Sequence, residues 1–176
     1  RLAALKEKIK NNTPEGVMGI GHTRWATHGR PSDVNSHPHT DCSGKFAIVH
    51  NGIIENFMSL KEELIAKGHK FVSETDTEVV AHLIEDVYEG DFVEAVNKVL
   101  NRIEGSYSLA FMCQDYPDTL ICTKKDNPLV IGLGEGENFI ASDIPAIIAY
   151  TRRTYIMNDG EIAVVKKDSI WVTDRK

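Results

Sequence analysis

Two short polar stretches carry the side chains that could do chemistry in this chain. Residues 21–29 run Gly-His-Thr-Arg-Trp-Ala-Thr-His-Gly, and residues 50–56 run His-Asn-Gly-Ile-Ile-Glu-Asn. Each follows an apolar segment that is predicted to be a buried strand, and polar side chains at strand ends commonly form small-molecule sites. The sequence therefore predicts a binding or catalytic site built from these two stretches.

Arg24 and Trp25 stand side by side in the first stretch. A guanidinium can bind a carboxylate through two parallel hydrogen bonds, and a neighbouring indole can cover that ion pair. The same two residues could instead be a surface arginine in a salt bridge beside a core tryptophan. The functional interpretation makes Arg24 the binding group for a ligand carboxylate.

Asn51 and Gly52 follow the second predicted strand. Most Asn-Gly pairs are simply turns. Alternatively, the Asn51 side-chain amide and the Gly52 backbone amide are two adjacent donors that could hold a developing oxyanion. Removing one such donor typically costs about 2.7 to 4 kcal/mol of transition-state stabilisation.

A third polar segment, residues 73–78, runs Ser-Glu-Thr-Asp-Thr-Glu and is predicted to begin a helix. Thr75 and Glu78 match a capping box, in which each side chain bonds to the other residue's backbone amide. Most carboxylates at such a position are only caps, stabilised by the helix dipole. Asp76 could instead present its charge to the ammonium group of a ligand.

Seven histidines raise the question of a metal. His37 and His39 flank Pro38 and could bind a metal together with Asp33 or Asp76, which would make the protein a metallohydrolase. The proline stiffens this pair, and neither a His-Glu-x-x-His helix nor a cysteine pair supports it. We therefore expect no metal and no other cofactor.

The three cysteines are odd in number and widely spaced, which does not fit a disulfide framework. Cys113 and Cys122 lie in alternating apolar runs and are predicted to be buried structural thiols. Cys42 lies in a polar loop beside Asp41, whose negative charge disfavours a reactive thiolate.

Composition limits the class of protein. The chain has 176 residues, of which 41% are hydrophobic and 26% charged, as expected for one globular domain. Its net charge of -6 argues against a nucleic-acid partner. No apolar run approaches the roughly 20 residues that span a bilayer. We expect a cytosolic protein without a membrane partner.

The elements that must position these residues follow from hydrophobic periodicity. Leu2, Leu5 and Ile9 have helical spacing, and strands are predicted at 17–21 and 45–50. Helices are predicted at 58–67, from 75, and at 91–103. Strands follow at 107–113, 119–123, 129–132, 138–141, 154–157, 161–165 and 170–173. Strands, then helices, then strands joined by short turns predict an α+β domain with antiparallel sheets.

Several of these segments together resemble one family. The polar stretches at 21–29, 35–39, 50–56 and 73–78, with 129–134 and 138–143 further on, are similar to the glutaminase domain of glucosamine-6-phosphate synthase, also called glutamine-fructose-6-phosphate aminotransferase (isomerizing). This domain is a class II glutamine amidotransferase. The resemblance covers essentially the whole chain and keeps the motifs in order.

The resemblance implies an N-terminal-nucleophile hydrolase fold, with two stacked antiparallel sheets between helical layers. In that family an N-terminal cysteine attacks the side-chain amide of glutamine and releases ammonia. By match, Asn51 and Gly52 would form the oxyanion hole, Arg24 would bind the α-carboxylate and Asp76 the α-ammonium. Thr27 and His28 would line the glutamine pocket, and Trp25 would belong to the loop that closes over it.

The sequence also departs from the family pattern. The chain starts at Arg1, so the family's opening segment with its cysteine lies outside it, as does the sugar isomerase domain. We therefore expect residues 1–176 to be one incomplete glutaminase domain that does not hydrolyse glutamine alone. Loss of an inner strand predicts association between copies. A non-catalytic module that binds glutamine or glutamate is the other alternative.

Overall fold

The computed structural model describes residues 2–175, and this range contains four α-helices. None of them is long and apolar enough to cross a membrane. The predicted helices are confirmed, although the last one ends earlier than residue 103. The helices are α1 (Leu2–Lys10), α2 (Phe57–Ala66), α3 (Thr77–Val87) and α4 (Phe92–Leu100), and a short 3₁₀ helix covers Ile144–Ala146.

Nine strands form two sheets in which every pairing of neighbouring strands is antiparallel. In chain order they are β1 (His39–Thr40), β2 (Phe46–Ile54), β3 (Gly105–Cys113), β4 (Leu120–Lys125), β5 (Val130–Leu133), β6 (Asn138–Ala141), β7 (Thr154–Ile156), β8 (Glu161–Val165) and β9 (Ile170–Asp174). The larger sheet has the order β1-β2-β3-β4-β8-β9, and the smaller has the order β6-β5-β7. The predicted α+β architecture is confirmed, and all seven strands predicted after residue 105 are present.

The larger sheet lies between the helices and the smaller sheet. The side chains of strand β3 show this order of layers, since they alternate between two hydrophobic cores. Leu109 and Phe111 pack in a cluster with α2, α3 and α4, whereas Ala110 packs with Leu129 and Ile131 of the smaller-sheet side. Helix α1 contributes no buried residue to either cluster. The layers are therefore helices, larger sheet and smaller sheet, with α1 outside them.

One predicted strand is absent. Residues 17–21 are not in a strand, and Val17 is 96% exposed. A strand needs a hydrogen-bonding neighbour, and no other segment of residues 2–175 pairs with this one. The apolar run instead has an irregular conformation and leads into the first polar stretch.

The start of α3 also differs from the prediction. Asp76 is the N-cap and its side chain makes no capping bond, so the predicted capping box of Thr75 and Glu78 is wrong. The Glu78 carboxylate instead accepts hydrogen bonds from the Val72 and Ser73 amides and from the Ser73 hydroxyl. Burial opposes ionisation of Glu78, but these bonds and one from His82 outweigh it and lower its pKa to about 2. Glu78, which lies inside α3, thus fixes the residues that precede the helix.

Helix α2 ends in a motif that fixes the residues after it. Gly68 has a φ of 99°, and its amide donates to the Ile65 carbonyl while the His69 amide donates to the Leu64 carbonyl. These two bonds define a Schellman motif, for which glycine is the favoured residue. The turn places His69 immediately beyond the helix and against α3.

Candidate active site

One large cavity opens where the first polar stretch, β2 and the start of α3 meet. Its volume is about 1020 Å³. All seven residues that the sequence predicted as site residues line it: Arg24, Trp25, Thr27, His28, Asn51, Gly52 and Asp76. The structure therefore brings together residues that are up to 52 positions apart in the sequence.

Asn51 and Gly52 do not form a turn. They lie inside β2, which continues to Ile54 and pairs Asn51 with Ser108 and Gly52 with Tyr107. Gly52 has a φ of 115°, and a Cβ there would lie 2.1 Å from the carbonyl oxygen of Ser106. Only glycine fits this position, because both the dihedral angle and the close strand contact exclude a side chain. The interpretation of the pair as a simple turn is wrong.

His22 links Asn51 to Arg24. The Arg24 amide donates to His22 Nδ1 at 2.8 Å, so Nδ1 is the unprotonated nitrogen of this imidazole. His22 Nε2 therefore carries the proton and donates to Asn51 Oδ1 at 2.5 Å. With its oxygen engaged, Asn51 is oriented so that its side-chain amide nitrogen can donate elsewhere. Sequence reasoning gave His22 no role, although it lies two residues before Arg24 in the same polar stretch.

Arg24 organises the loop that it belongs to. Its φ is 56°, and its Nη2 donates to the carbonyl oxygens of His28 at 2.7 Å and Gly29 at 2.9 Å. Its Nη1 donates to the Arg30 carbonyl at 3.3 Å. Since a guanidinium has five N–H groups, one on Nε and one on Nη1 remain for other partners. Arg24 makes none of the salt bridges of the described chain, since its three hydrogen-bond acceptors there are backbone carbonyls.

Asp76 is a buried carboxylate at the N-terminus of α3, with only 3% of its surface exposed. Its Oδ2 accepts a hydrogen bond from the Ile54 amide at 2.8 Å, which ties the helix start to the end of β2. Its Oδ1 lies 3.7 Å from His28 Nδ1, beyond hydrogen-bonding distance. Oδ2 of Asp76 thus has a structural role, and Oδ1 faces the cavity.

Trp25, Thr27 and His28 lie at the more open side of the cavity. The Trp25 side chain is 93% exposed, which excludes the core tryptophan considered as an alternative, and Thr27 is also exposed. The His28 ring meets Phe57 edge-on with centroids 4.8 Å apart, and its Nδ1 is buried without a hydrogen-bond partner in the described chain. These residues can contact a ligand without first breaking side-chain hydrogen bonds of their own.

A histidine cluster lies behind the start of α3. The Thr77 hydroxyl is 2.9 Å from both His37 Nε2 and His50 Nδ1, and the His39 Nε2 lies 2.9 Å from the Thr75 hydroxyl. Burial and the neighbouring His22, His39 and His50 lower the pKa of His37 to about 3. Burial likewise lowers the pKa of His50 to about 4, against the raising effect of Asp76, and lowers that of His39. The three histidines are therefore neutral at neutral pH.

The Nε2 atoms of His37 and His39, the pair suggested for a metal, each lie 2.9 Å from a threonine hydroxyl, whereas His37 Nδ1 has no hydrogen-bond partner in the described chain. Sequence reasoning also missed Asn35, which joins the first loop to α3. Its amide nitrogen donates to Glu74 Oε2 at 2.9 Å and its oxygen accepts from the Glu74 amide at 2.9 Å. The only sign of this role in the sequence is the position of Asn35 in a polar segment between the two main stretches.

The electrostatics of the cavity are simple. Among its lining residues in the described chain, Arg24 is the only lysine or arginine and Asp76 the only aspartate or glutamate. The cysteines do not contribute: Cys42, Cys113 and Cys122 are all absent from the lining of this cavity within residues 2–175. Cys113 and Cys122 are buried, as predicted, and burial raises the pKa of both thiols. The cavity thus offers one cation, one anion and adjacent amide donors.

Comparison with solved structures supports the same architecture. The chain is similar to glutamine phosphoribosylpyrophosphate amidotransferase from B. subtilis, with a TM-score of 0.73 and 26% identity over 88% of this chain and 34% of that one. A glutamine aminotransferase class-II domain protein from Silicibacter pomeroyi shares the fold, with a TM-score of 0.56 and 19% identity over 80% of this chain and 70% of that one. The N-terminal-nucleophile hydrolase fold predicted from the resemblance is confirmed.

Sequence comparison gives the family. The chain is 59% identical over 174 residues to the glutamine--fructose-6-phosphate aminotransferase [isomerizing] of Caldanaerobacter subterraneus, and 51% identical over 176 residues to that of Clostridium tetani. These alignments cover 99% and 100% of this chain but only 29% of each relative. Residues 22–149 match the family described as a glutamine amidotransferase domain. The chain therefore belongs to the glutamine amidotransferase domain family.

Proposed function

We propose that the cavity binds glutamine and that the chain is the glutaminase part of a larger enzyme. In that enzyme, hydrolysis of the glutamine side-chain amide supplies ammonia for conversion of fructose-6-phosphate to glucosamine-6-phosphate. One observation carries the proposal: Arg24 and Asp76 are the one cation and the one anion among the aspartate, glutamate, lysine and arginine side chains that line the cavity in the described chain. Such a pair complements a zwitterionic α-amino acid. The names of the relatives support the choice of amino acid and sugar.

Each charged group has a defined part in this proposal. Arg24 binds the α-carboxylate through an N–H group that its loop contacts leave over. Asp76 binds the α-ammonium through Oδ1, while Oδ2 stays on the Ile54 amide. A ligand ammonium between Asp76 and His28 would also give the unpartnered His28 Nδ1 a donor.

Asn51 and Gly52 are proposed as the oxyanion hole. When a nucleophile attacks the side-chain amide of glutamine, negative charge develops on the carbonyl oxygen. The Asn51 amide nitrogen, oriented by His22, and the Gly52 backbone amide would stabilise that charge. Thr27 would line the pocket beside the ligand, and the exposed Trp25 would cover it once the loop closes.

The nucleophile is not one of the three cysteines of this chain, because none of them lines the cavity in the described residues. We propose that the 176-residue chain binds the amino acid without hydrolysing glutamine. It then acts as a binding module that depends on the rest of the enzyme, including its sugar isomerase domain, for chemistry. The metallohydrolase alternative gains no support, since neither His37 nor His39 belongs to a group of three or more potential metal ligands in residues 2–175.

Binding of glutamate, the expected product, tests the assignment of the charged pair. Arg24→Ala and Asp76→Asn should each weaken glutamate binding by about 10- to 100-fold, because each removes a charge-assisted hydrogen bond worth roughly 1.5 to 3 kcal/mol. Isothermal titration or NMR titration of the 176-residue chain measures this. Asparagine at position 76 can still accept from the Ile54 amide, so the fold should be retained.

Two controls make the result specific. Arg152→Ala removes an exposed arginine that does not line the cavity in the described chain, and should leave the affinity unchanged. Glutarate lacks the α-ammonium of glutamate, so only the protein with Asp76 should prefer glutamate over glutarate. Equal affinities of Arg24→Ala, Arg152→Ala and the unchanged protein would refute the carboxylate assignment.

We also propose that copies of the chain associate. Strand β1 covers β2 only opposite Ala47 and Ile48, so residues 49–54 of β2 have no strand on that side in the described chain. Unpaired strand edges favour pairing with another chain. Light scattering should show a mass above that of one chain that rises with concentration, and a constant single-chain mass would contradict this.

A further inference from the structure

Four side chains of metal-binding type meet on the helical side of the larger sheet. They are Cys42 in the turn after β1, His69 immediately after α2, and His82 and Glu85 on α3. One ligand atom from each lies within 4.8 Å of all the others. None of the four lines the candidate active site in the described chain, so the cluster is separate from the proposed glutamine chemistry.

Four of the six distances between the ligand atoms are near those of a small tetrahedron, and the other two are below 4.8 Å. Cys42 Sγ lies 3.5 Å from His82 Nδ1 and 4.0 Å from His69 Nδ1. Glu85 Oε2 lies 3.0 Å from His69 Nδ1 and 3.4 Å from His82 Nδ1. Zinc–ligand bonds of about 2.0 to 2.3 Å at tetrahedral angles give edges of about 3.3 to 3.6 Å. A zinc ion fits with only small movements of the ligands.

Both histidines have a carboxylate behind the ring. His82 Nε2 lies 3.2 Å from Glu78 Oε1, within hydrogen-bonding distance, whereas His69 Nε2 lies 3.6 Å from Asp86 Oδ1, which is beyond it. A neutral imidazole that donates its single N–H from Nε2 to such a carboxylate presents the Nδ1 lone pair on the opposite side. Metal-binding histidines almost always have a second partner of this kind. Both Nδ1 atoms point at the cluster.

Without a metal the same four side chains can bond to one another. His82 can donate from Nε2 to Glu78 and accept from the Cys42 thiol at Nδ1, and His69 can donate from Nδ1 to Glu85. A metal ion would take both Nδ1 lone pairs and replace the thiol proton in these contacts.

We propose that Cys42, His69, His82 and Glu85 bind one zinc ion. A thiolate and two imidazoles favour zinc over magnesium or calcium, which prefer oxygen ligands. Four protein ligands close the coordination sphere, as in structural rather than catalytic zinc sites. Binding requires loss of the Cys42 thiol proton to solvent. The ion joins the turn after β1 and the end of α2 to α3, whose first turn carries Asp76.

Metal titration of the tag-free, metal-depleted protein tests this proposal. One equivalent of Co²⁺ should produce the visible bands of tetrahedral cobalt and a near-ultraviolet thiolate charge-transfer band, and zinc should abolish both. Free zinc at about 100 times its dissociation constant should raise Tm by about 5 to 10 °C. Zinc should also protect the exposed Cys42 from alkylation.

Variants locate the ion. Cys42→Ser should lose the charge-transfer band, and Glu85→Gln should bind Co²⁺ at least about 10-fold more weakly. Glu62→Gln, an exposed neighbour on α2, should behave like the unchanged protein. His69→Gln is a second ligand variant should Cys42→Ser fold poorly. Absence of stoichiometric binding, or equal zinc-induced Tm shifts in Cys42→Ser and Glu62→Gln, would overturn the proposal and leave a hydrogen-bonded cluster without a metal.

Discussion

Replacing Gly52 with alanine is expected to destabilise the protein by more than about 3 kcal/mol and to abolish ligand binding. The new Cβ would lie 2.1 Å from the Ser106 carbonyl oxygen, 2.6 Å from Asn127 Nδ2 and 2.8 Å from the Ser106 carbonyl carbon. Two of these atoms belong to the backbone of β3, which cannot move without disturbing the central strands of the larger sheet. The φ of 115° adds its own penalty for a residue with a side chain.

Gly90→Ala is the matched control. Gly90 has a similar φ of 101°, but a Cβ there would meet no atom within 4 Å. Its substitution should therefore cost only the dihedral penalty, roughly 1 to 2 kcal/mol. Urea unfolding of both variants measures the difference. Similar losses of unfolding free energy would show that the clash with Ser106 adds nothing to the cost of the substitution. The site would then not require glycine at position 52.

The position of Gly52 also shows where sequence reasoning stops. The strands after residue 105 were predictable because alternation and turn residues are local features, as in Tyr107 to Cys113. The Asn-Gly pair is equally local evidence, but it favours a turn. Only the pairing of β2 with β3, between segments about 55 residues apart, shows that the chain runs straight through it. Long-range pairing overrides the local preference.

The sequence predicted residues that prove to line one cavity, but not the contacts that hold them there. Arg24, Asn51 and Asp76 came from residue types and from the family resemblance, and all three line one cavity. The contacts that hold them are with His22, backbone carbonyls and the Ile54 amide, and sequence spacing contains no trace of these. The proposed zinc ligands were missed for the same reason, because they come from three elements and match no spacing motif.

Acidification from pH 7 to pH 5 is expected to remove about 3 to 4 kcal/mol of folding stability. A histidine in the unfolded chain takes up its proton near pH 6.5, whereas His37 and His50 in the folded protein do so only near pH 3 and pH 4. Between these values the unfolded state binds more protons, so stability falls as the pH falls. Each histidine contributes up to about 1.4 kcal/mol per pH unit, and His37 less because water partly screens it.

The pH range over which stability is lost identifies the groups that cause the loss. Glu78 has its pKa lowered from 4.5 to about 2, so its contribution is lost only below about pH 4.5 and leaves the range above pH 5 to the histidines. His37→Gln can keep the bond to the Thr77 hydroxyl but cannot titrate. Urea unfolding at several pH values should therefore give this variant a shallower loss of stability below pH 6.5 than the unchanged protein. Parallel curves would mean that His37 has the same pKa in the folded and unfolded states. His37 would then not be held neutral by its surroundings, and the cavity would gain a second positive charge beside the proposed ammonium site as the pH falls below about 6.5.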